Sequence, residues 1–346
     1  MTIDKKLLKK GSLEQLFNLL KEQGNKMFAP VRMENGIMFR PVNSIGETTL
    51  DYIQTVQSAK NIVFPKIETL FRYNTTKSSV TITDVDETKY PETVLWGVHP
   101  CDAAAMGELE AVFTGEYTDI HFQGRLKKLT VIGLSCSKTD DYCFCTSVSV
   151  KPNDTKGSDI LLTQLKSGDY LTEVVTEKGR NILEKSAGVF TDISGDYETV
   201  VADVPVKFEP GKVTSFLAKN FDHPFWIINS LRCIGCGTCA YVCPACTCYD
   251  IQDESSGLEG RRVRCWDSCG IGLFTLHSSG HNPREVQSQR WRQRVMHKFS
   301  YIPETRNALG CVGCGRCSRA CPADMNIMEQ LIELSSMKEK NELVLQ

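Results

Sequence analysis

The spacing of apolar residues predicts a helix near the start of the chain and short strands after it. Within residues 12–23, four leucines recur at helical intervals between Leu13 and Leu20, with charged residues between them. This pattern is typical of an amphipathic helix. Runs of strand-forming residues then follow, each bounded by turn-forming residues, at 37–39, 62–64, 80–82, 94–98 and 130–134.

The segment between the last two strands predicts another helix. Residues 101–113 follow His99 and Pro100 directly, and they combine alanines with Met106, Leu109 and Val112. A strand, a helix and a second strand in this order predict an α/β unit. We therefore expect the first half of the chain to be a mixed α/β domain.

The second half has fewer strand-forming runs. Residues 208–212 are typical of a turn before a helix, and residues 283–299 and 326–340 are compatible with helices. The expected fold class is α+β, with an N-terminal mixed α/β domain over residues 1–210 and a mostly helical domain over residues 220–346. We expect the boundary near residues 205–225.

Composition and charge narrow the classes of protein. Of the 346 residues, 41% are hydrophobic and 24% are charged, which is the balance of a globular protein. No apolar run approaches the roughly 18–20 residues of a membrane span, and no apolar stretch follows the basic start, so we expect a cytoplasmic protein without a membrane span. A net charge of −2 and the lack of nucleic-acid motifs predict no nucleic-acid partner.

The sixteen cysteines change this picture. Four lie between Cys101 and Cys145, and twelve lie between Cys233 and Cys321. Because the cytoplasm keeps thiols reduced, the cysteines are interpreted as metal ligands rather than disulfides. Two metal-binding zones are predicted.

The second zone contains two copies of the spacing C-x2-C-x2-C-x3-C-P, which is typical of ferredoxin [4Fe–4S] clusters. The copies are Cys233, Cys236, Cys239 and Cys243 with Pro244, and Cys311, Cys314, Cys317 and Cys321 with Pro322. Glycines between the cysteines allow the backbone to fold closely around a cluster. The second domain is therefore expected to be a two-[4Fe–4S] ferredoxin-like domain.

In two-cluster ferredoxins, the fourth cysteine of each motif binds the other cluster. We therefore assign Cys233, Cys236, Cys239 and Cys321 to one cluster, and Cys311, Cys314, Cys317 and Cys243 to the other. The 67 residues between Cys243 and Cys311 form an insertion between the motifs. The alternative is a pair of zinc sites in a structural scaffold subunit, because zinc also accepts four thiolates.

The first zone predicts a third [4Fe–4S] cluster. Cys101 and Cys136 follow two predicted strands, and ligand sites in α/β sheets gather at such strand ends. Cys143 and Cys145 would share one face of an extended strand. Buried free cysteines or a structural zinc ion are the alternatives. An incompletely ligated third cluster would have an open iron that performs chemistry itself.

The insertion contains four further cysteines and many basic residues. Cys246, Cys248, Cys265 and Cys269 either bind another metal or line the pocket of a neighbouring cluster. The basic residues either offset the charge of the clusters, form a docking patch for an acidic partner or are simply solvated. They are Arg261, Arg262, Arg264, Arg284, Arg290, Arg292, Arg294, His297 and Lys298.

Several motifs together resemble the iron–sulfur protein shared by sulfhydrogenases, where it is the β subunit, and by anaerobic sulfite reductases. The resemblance covers nearly the whole chain. It includes Gly97-Val-His-Pro-Cys-Asp102, Cys143-Phe-Cys145, Cys243-Pro-Ala-Cys-Thr-Cys-Tyr249, Trp266-Asp-Ser-Cys269 and Cys311-Val-Gly-Cys-Gly-Arg-Cys317.

The resemblance implies an electron-transfer role within a larger complex. The partners would be a flavoprotein subunit that handles NAD(P)H and a catalytic subunit of hydrogenase, sulfite reductase or heterodisulfide-reductase type. The resemblance also implies that Cys101, Cys136, Cys143 and Cys145 are family positions, which favours the third cluster. Cys265 departs from the family pattern, which weakens a four-thiolate site in the insertion.

Overall fold

The computed structural model describes residues 3–186, 188–193 and 195–337. Their strands are β1 (Asp4–Leu8), β2 (Lys26–Met33), β3 (Gly36–Pro41), β4 (Ile67–Thr75), β5 (Val80–Asp84), β6 (Thr93–Val98), β7 (Leu129–Leu134), β8 (Ile160–Gln164), β9 (Tyr170–Val174), β10 (Phe190–Asp192), β11 (Tyr249–Ser256) and β12 (Glu259–Trp266). Their α-helices are α1 (Leu13–Glu22), α2 (Pro100–Phe113), α3 (Ile120–Lys127), α4 (Glu177–Lys185), α5 (Pro210–Lys219), α6 (Phe225–Ser230), α7 (Thr238–Tyr241), α8 (Gln287–Met296), α9 (Ile302–Arg306), α10 (Arg316–Arg319) and α11 (Ile327–Ser336).

A large mixed sheet organises the first half of the chain. Its strand order is β10-β1-β9-β8-β7-β6-β2-β3, and β2, β6, β7 and β8 run parallel to one another. Alternate residues of β6 face opposite sides of this sheet. Trp96 packs with α1, where its ring lies 5.6 Å from that of Phe17, whereas Leu95 packs with Met106 and Leu109 of α2. Helices therefore cover both faces, as expected for a buried parallel sheet.

A smaller antiparallel sheet joins the two halves of the chain. Its order is β11-β12-β4-β5, so a hairpin from the insertion pairs with a hairpin from the first half. Gly260 of β12 lies opposite Tyr73 of β4, and a side chain at position 260 would overlap the Tyr73 ring. The insertion is thus held by main-chain hydrogen bonds as well as by packing.

The helices of the second half enclose their own apolar core. Val295, Phe299 and Leu331 from α8, the π-helical turn His297–Tyr301 and α11 meet there. Phe144 and Phe208 from earlier in the chain also enter this core. The loop that contains Cys143 and Cys145 is consequently anchored against the second half.

The expected fold class, α+β with an N-terminal mixed α/β part, is confirmed. The predicted helices at 12–23 and 101–113 correspond to α1 and α2, and the runs at 37–39, 80–82, 94–98 and 130–134 lie in β3, β5, β6 and β7. The predicted strand at 62–64 is wrong. This segment ends a 3-10 turn, Ala59–Ile62, and Phe64 is buried before Pro65, which has no amide hydrogen for a strand ladder.

The second half contains helices together with the β11–β12 hairpin. The helix predicted at 283–299 begins at Gln287 and continues into the π-helical turn, and the helix predicted at 326–340 is α11, although residues 338–340 lie outside the described part. Every residue of β11 is exposed, which explains why the sequence contains no apolar run that would predict this strand. The division into domains at 1–210 and 220–346 stays a prediction.

Within the described ranges, no helix has both the length and the apolar character needed to cross a membrane.

Candidate metal centres

Four thiols of the first half line one cavity, here called the N-terminal cavity. Cys101 is the second residue of α2, directly after β6, and Cys136 lies two residues beyond β7. Since β6 and β7 are parallel neighbours, their carboxyl ends lie side by side, as the strand-end argument predicted. Cys143 and Cys145 complete the lining. Whether the four bind a metal stays a prediction.

Cys143 and Cys145 reach this cavity by a different route from the one expected. They do not lie in an extended strand, because Cys145 begins a 3-10 turn, Cys145–Val148, and Phe144 between them has φ −145° and ψ 29°. The Phe144 ring packs 5.9 Å from that of Phe208, and its amide donates to the carbonyl of Gly313 at 3.0 Å. The turn, rather than strand alternation, brings both thiols to one side.

Donors from two directions face the sulfurs of the N-terminal cavity. Gln54 Nε2 donates to Cys101 Sγ at 3.4 Å, and Arg319 Nη2 donates to Cys143 Sγ at 3.3 Å. Burial raises the pKa of Cys145 to about 12 and raises the pKa of Cys101 well above its usual range. These thiols therefore ionise only when a bound metal and such donors stabilise the thiolate.

The first ferredoxin motif lines a second cavity, here called the first-motif cavity. Its thiols are those of Cys233, Cys236, Cys239, Cys317 and Cys321. The presence of Cys321 places the final cysteine of the second motif beside the first motif, as crossed ligation requires. Gln287 Nε2 donates to Cys233 Sγ at 3.0 Å, and the Met325 amide donates to Cys321 Sγ at 3.3 Å.

The loop of the first motif depends on glycine. Gly235 and Gly237 have φ of 71° and 75°, a conformation that other residues rarely adopt. Cys236 in this loop is exposed, and its sulfur lies 3.4 Å from Thr238 Oγ1. This hydrogen bond lowers the pKa of Cys236. One side of the first-motif cavity is therefore close to the protein surface.

The second ferredoxin motif, residues 311–317, forms a loop that connects the two cavities and is here called the bridging loop. Cys314 lines the N-terminal cavity, whereas Cys317 lines the first-motif cavity. Cys243 and Cys311, the other two predicted ligands of the second cluster, both face the buried Lys298, whose Nζ lies 3.4 Å from Cys243 Sγ. Three residues of this predicted ligand set therefore lie in the bridging loop, and Cys243 lies outside it.

Two glycines allow the bridging loop to pack backbone against backbone. Gly313 and Gly315 have φ of 64° and 69°. A Cβ atom at Gly313 would lie 2.5 Å from Cys145 Cα, and one at Gly315 would overlap the Tyr142 carbonyl. Only glycine at these positions permits the second motif to lie against the Cys143–Cys145 segment.

A buried ion pair fixes the same contact. Arg316 and Asp102 are 2% and 0% exposed in their side chains, and they form a two-pronged salt bridge. Arg316 Nε also donates to the Thr55 carbonyl at 2.9 Å. Asp102 follows Cys101, and Arg316 precedes Cys317, so this pair joins a residue beside each cavity.

Six of the nine basic residues named in the insertion fall into two groups with different partners. Arg294 and Lys298 are buried against thiols, with Arg294 Nη1 at 3.5 Å from Cys246 Sγ. By contrast, Arg261, Arg262, Arg264 and Arg292 pair with carboxylates. The hypothesis that basic residues offset charge at metal centres applies to the first group.

The cysteines of the insertion also differ in their surroundings. Cys246 is buried beside Cys243, and Cys248 lies beside Cys269, whereas Cys265 is half-exposed on β12. In the described residues, no group of three or more His, Cys, Asp or Glu side chains surrounds a single-ion position.

The residues around the N-terminal and first-motif cavities fit iron–sulfur clusters. Thiols converge on each cavity, amide and guanidinium donors point at sulfur, and glycine loops allow a close backbone approach. Residues 232–325 match the family model of the 4Fe-4S dicluster domain. The protein is therefore an iron–sulfur protein of the electron-transfer class.

Similarity to another protein extends beyond this domain. The chain is 32% identical over 329 residues to sulfhydrogenase 2 subunit beta of Pyrococcus furiosus, and the match covers 92% of this chain and 95% of that protein. The chain thus belongs to the sulfhydrogenase β-subunit family, which confirms the resemblance seen in its motifs. No solved structure matches it.

Several residues of these sites were not predicted from the sequence. Lys60, Gln287 and the Asp102–Arg316 pair all lie beside cysteines. Arg316 lies within the second ferredoxin motif, and a charged residue inside such a loop is a signal that could have identified it. Lys60 had no comparable signal, since its contacts come from residues about 180 positions away.

Proposed function

We propose that this chain relays electrons between a flavoprotein subunit that handles NAD(P)H and a catalytic redox subunit. The catalytic subunit would be of hydrogenase, sulfite reductase or heterodisulfide-reductase type. The observation that carries this proposal is the bridging loop, which contributes Cys314 to one cavity and Cys317 to the other. A continuous line of candidate redox sites through the chain suits a relay.

Three sites of [4Fe–4S] type are assigned within this proposal, and bound clusters would supply one-electron redox centres. The ligands are Cys233, Cys236, Cys239 and Cys321 for the first, Cys311, Cys314, Cys317 and Cys243 for the second, and Cys101, Cys136, Cys143 and Cys145 for the third. The sheet part of the chain would hold the third, and the helical part the other two. A reducing cytoplasm would keep all these thiols available.

The exposed side of the first-motif cavity offers a contact for one partner subunit. In α6 and in the segment from α6 to Cys236, four apolar side chains are exposed by 62–77% of their surface. They are Ile227, Ile228, Leu231 and Ile234. An exposed apolar patch of this kind is typical of a protein interface. Here it borders the one cysteine of the ferredoxin motifs that is itself exposed.

The chain's own residues hold the bridging loop in a fixed position between the two cavities. The Asp102–Arg316 pair anchors the bridging loop to α2, and the glycines of that loop keep it against the Cys143–Cys145 turn. Lys298 and Arg294 place positive charge beside the thiols, which favours the more negative, reduced state of a bound centre.

The test uses the full chain purified anaerobically, alone and with its co-purified partner subunits. We expect low-temperature EPR signals of reduced clusters after dithionite treatment, and the same signals after NADH or NADPH only when the flavoprotein subunit is present. The proposed flavoprotein partner would be contradicted if, with that subunit present, the signals appear after dithionite but not after NADH or NADPH. Stoichiometric zinc without a reduced-cluster signal would instead support a zinc-bearing scaffold.

A further inference from the structure

Each of the two cavities is lined by a glutamine whose side-chain amide faces a cysteine sulfur. In the N-terminal cavity, Gln54 Nε2 lies 3.4 Å from Cys101 Sγ, and in the first-motif cavity, Gln287 Nε2 lies 3.0 Å from Cys233 Sγ. The two glutamines come from unrelated parts of the fold. Gln54 lies in the connection between β3 and β4, whereas Gln287 is the first residue of α8. The same kind of neutral donor is thus placed beside a thiol twice.

An arginine holds the amide oxygen of each glutamine. Arg316 Nη2 donates to Gln54 Oε1, and Arg290 Nε donates to Gln287 Oε1 at 2.8 Å. The Thr55 amide also donates to Gln54 Oε1, at 3.1 Å. A reversed amide would point its NH2 group at a guanidinium, which can only donate, so each NH2 group must face the sulfur. These units are here called the glutamine–arginine pairs, Gln54–Arg316 and Gln287–Arg290.

The arginines of both pairs have further acceptors of their own. Arg316 donates to the Asp102 carboxylate and to the Thr55 carbonyl. Arg290 Nη1 donates to the Arg284 carbonyl at 2.8 Å. Each guanidinium is therefore fixed independently of its glutamine, and it keeps hydrogen-bond partners when that glutamine is replaced.

A hydrogen bond to a ligand sulfur acts on the two oxidation states of a cluster unequally. The reduced state carries one more negative charge, so a donor aimed at the sulfur stabilises it more than the oxidised state and raises the reduction potential. Both contacts are partly buried, and a hydrogen bond is electrostatically stronger there than in water. The direction of the amides therefore matters for electron transfer.

We propose that Gln54 and Gln287 each raise the reduction potential of the centre in their own cavity, and that Arg316 and Arg290 are positioning residues that orient the two amides. This inference rests on the proposed function, which assigns a cluster to each cavity. The step affected is the uptake of one electron from the flavoprotein subunit of the relay, with no bond made or broken. Two separate pairs allow the two potentials to be set independently.

The experiment is a redox titration of the anaerobically purified full chain, followed by low-temperature EPR. Cys143→Ser and Cys239→Ser assign the signals, because each removes the centre of one cavity. Gln54→Met and Gln287→Met remove the donor but keep an unbranched side chain. At a fixed potential, each should lower the ratio of reduced to oxidised centre about tenfold in its own cavity, which corresponds to about 59 mV for a one-electron couple. The signal of the other cavity should not shift.

Glutamate variants separate donation to sulfur from simple bracing of the arginine. Gln54→Glu and Gln287→Glu keep an acceptor for the guanidinium but replace the NH2 donor with a carboxylate oxygen. They should lower the potential at least as much as the methionine variants, whereas a purely structural role predicts no shift. Gln289→Met is the control on the same helix, because Gln289 Oε1 accepts from the Val286 amide at 3.2 Å. It should leave both potentials unchanged.

The outcomes distinguish this inference from the proposed function. Wild-type signals with unchanged potentials in the methionine and glutamate variants would overturn the inference and leave the relay intact. A wild type without a reduced-cluster signal from one cavity would contradict the cluster proposed there, together with the role of its glutamine. If a methionine variant loses iron, the glutamate variant at that position decides. Loss of iron in both would show a structural role and overturn the inference for that glutamine.

Discussion

The N-terminal cavity and the first-motif cavity show two ways of building a thiol site. In the first-motif cavity, Cys233, Cys236 and Cys239 come from one glycine-rich loop, and only Cys317 and Cys321 arrive from elsewhere. In the N-terminal cavity, the thiols come from the start of α2, the segment after β7, a separate turn and the bridging loop. A local loop carries its geometry in its spacing, whereas a dispersed site depends on the whole fold.

The two cavities also differ in their surroundings. The first-motif cavity opens beside exposed Cys236 and an apolar patch. The N-terminal cavity adjoins the buried Asp102–Arg316 pair, and Gly313 and Cys314 of the bridging loop form part of its lining. We infer that the first is suited to exchange with a partner, because its exposed cysteine lies beside that patch.

The largest expected effect comes from removing one thiol in each cavity. Cys239→Ser and Cys143→Ser should each lose about four irons. Only Cys239→Ser should abolish electron exchange at the exposed face, because only that variant damages the cavity beside Cys236. Iron content and EPR of the reduced full chain provide the measurement. Full iron retention in Cys143→Ser would show that the N-terminal cavity holds no cluster.

Breaking the buried ion pair should come next. Asp102→Asn leaves Arg316 buried without its counter-charge and should lower the free energy of unfolding by about 3–5 kcal/mol. Anaerobic denaturation followed by tryptophan fluorescence measures the change.

The matched control for that variant is the exposed pair of Asp51 and Lys138, whose side chains are 74% and 49% exposed. Asp51→Asn should cost less than about 1 kcal/mol, because solvent screens exposed pairs. Equal losses in the two variants would argue that Asp102 does not anchor the bridging loop.

The backbone contact of the bridging loop predicts a smaller loss of stability than the buried ion pair does. Gly313→Ala would place alanine in a left-handed backbone conformation, and its Cβ atom would overlap Cys145. We therefore expect the free energy of unfolding to fall by about 2–5 kcal/mol. Gly257→Ala, at the hairpin turn, has φ of 63° but open space around it. It should cost only about 1–2 kcal/mol. A Gly313→Ala protein as stable as Gly257→Ala would contradict the tight packing of the two thiol segments.

The smallest effect concerns the partner rather than this chain. Leu231→Ser should leave the iron content and stability unchanged while weakening the binding of the partner subunit by about tenfold, since about 1.4 kcal/mol corresponds to that factor. Leu258, 63% exposed at the hairpin tip, provides the control position. Titration of the partner subunit measures both variants. If Leu258→Ser weakens binding equally, the patch beside Cys236 is not the interface.

The sequence predicted the parts of these sites that depend on local spacing. The ferredoxin motifs and the strand-end cysteines were identified because spacing and strand order are visible along the chain. The route by which Cys143 and Cys145 converge was not, since it depends on Phe144 packing against Phe208.

Other features were invisible because their partners are distant in sequence. The β11–β12 hairpin carries charged, exposed residues, and its strand character comes from pairing with β4. Lys60 lies just before a segment mistaken for a strand, and its role becomes visible only when residues 240 and 246 fold against it. Long-range pairing of this kind leaves no periodic signal.

The shared sheet formed by β4 and β12 has a consequence for how the protein is made. Tyr73 pairs with Gly260, so the ribosome must synthesise most of the chain before β4 acquires its inner neighbour. Until then, β4 presents an open edge that invites aggregation. The smaller sheet can therefore close only after translation has passed residue 266, the end of β12.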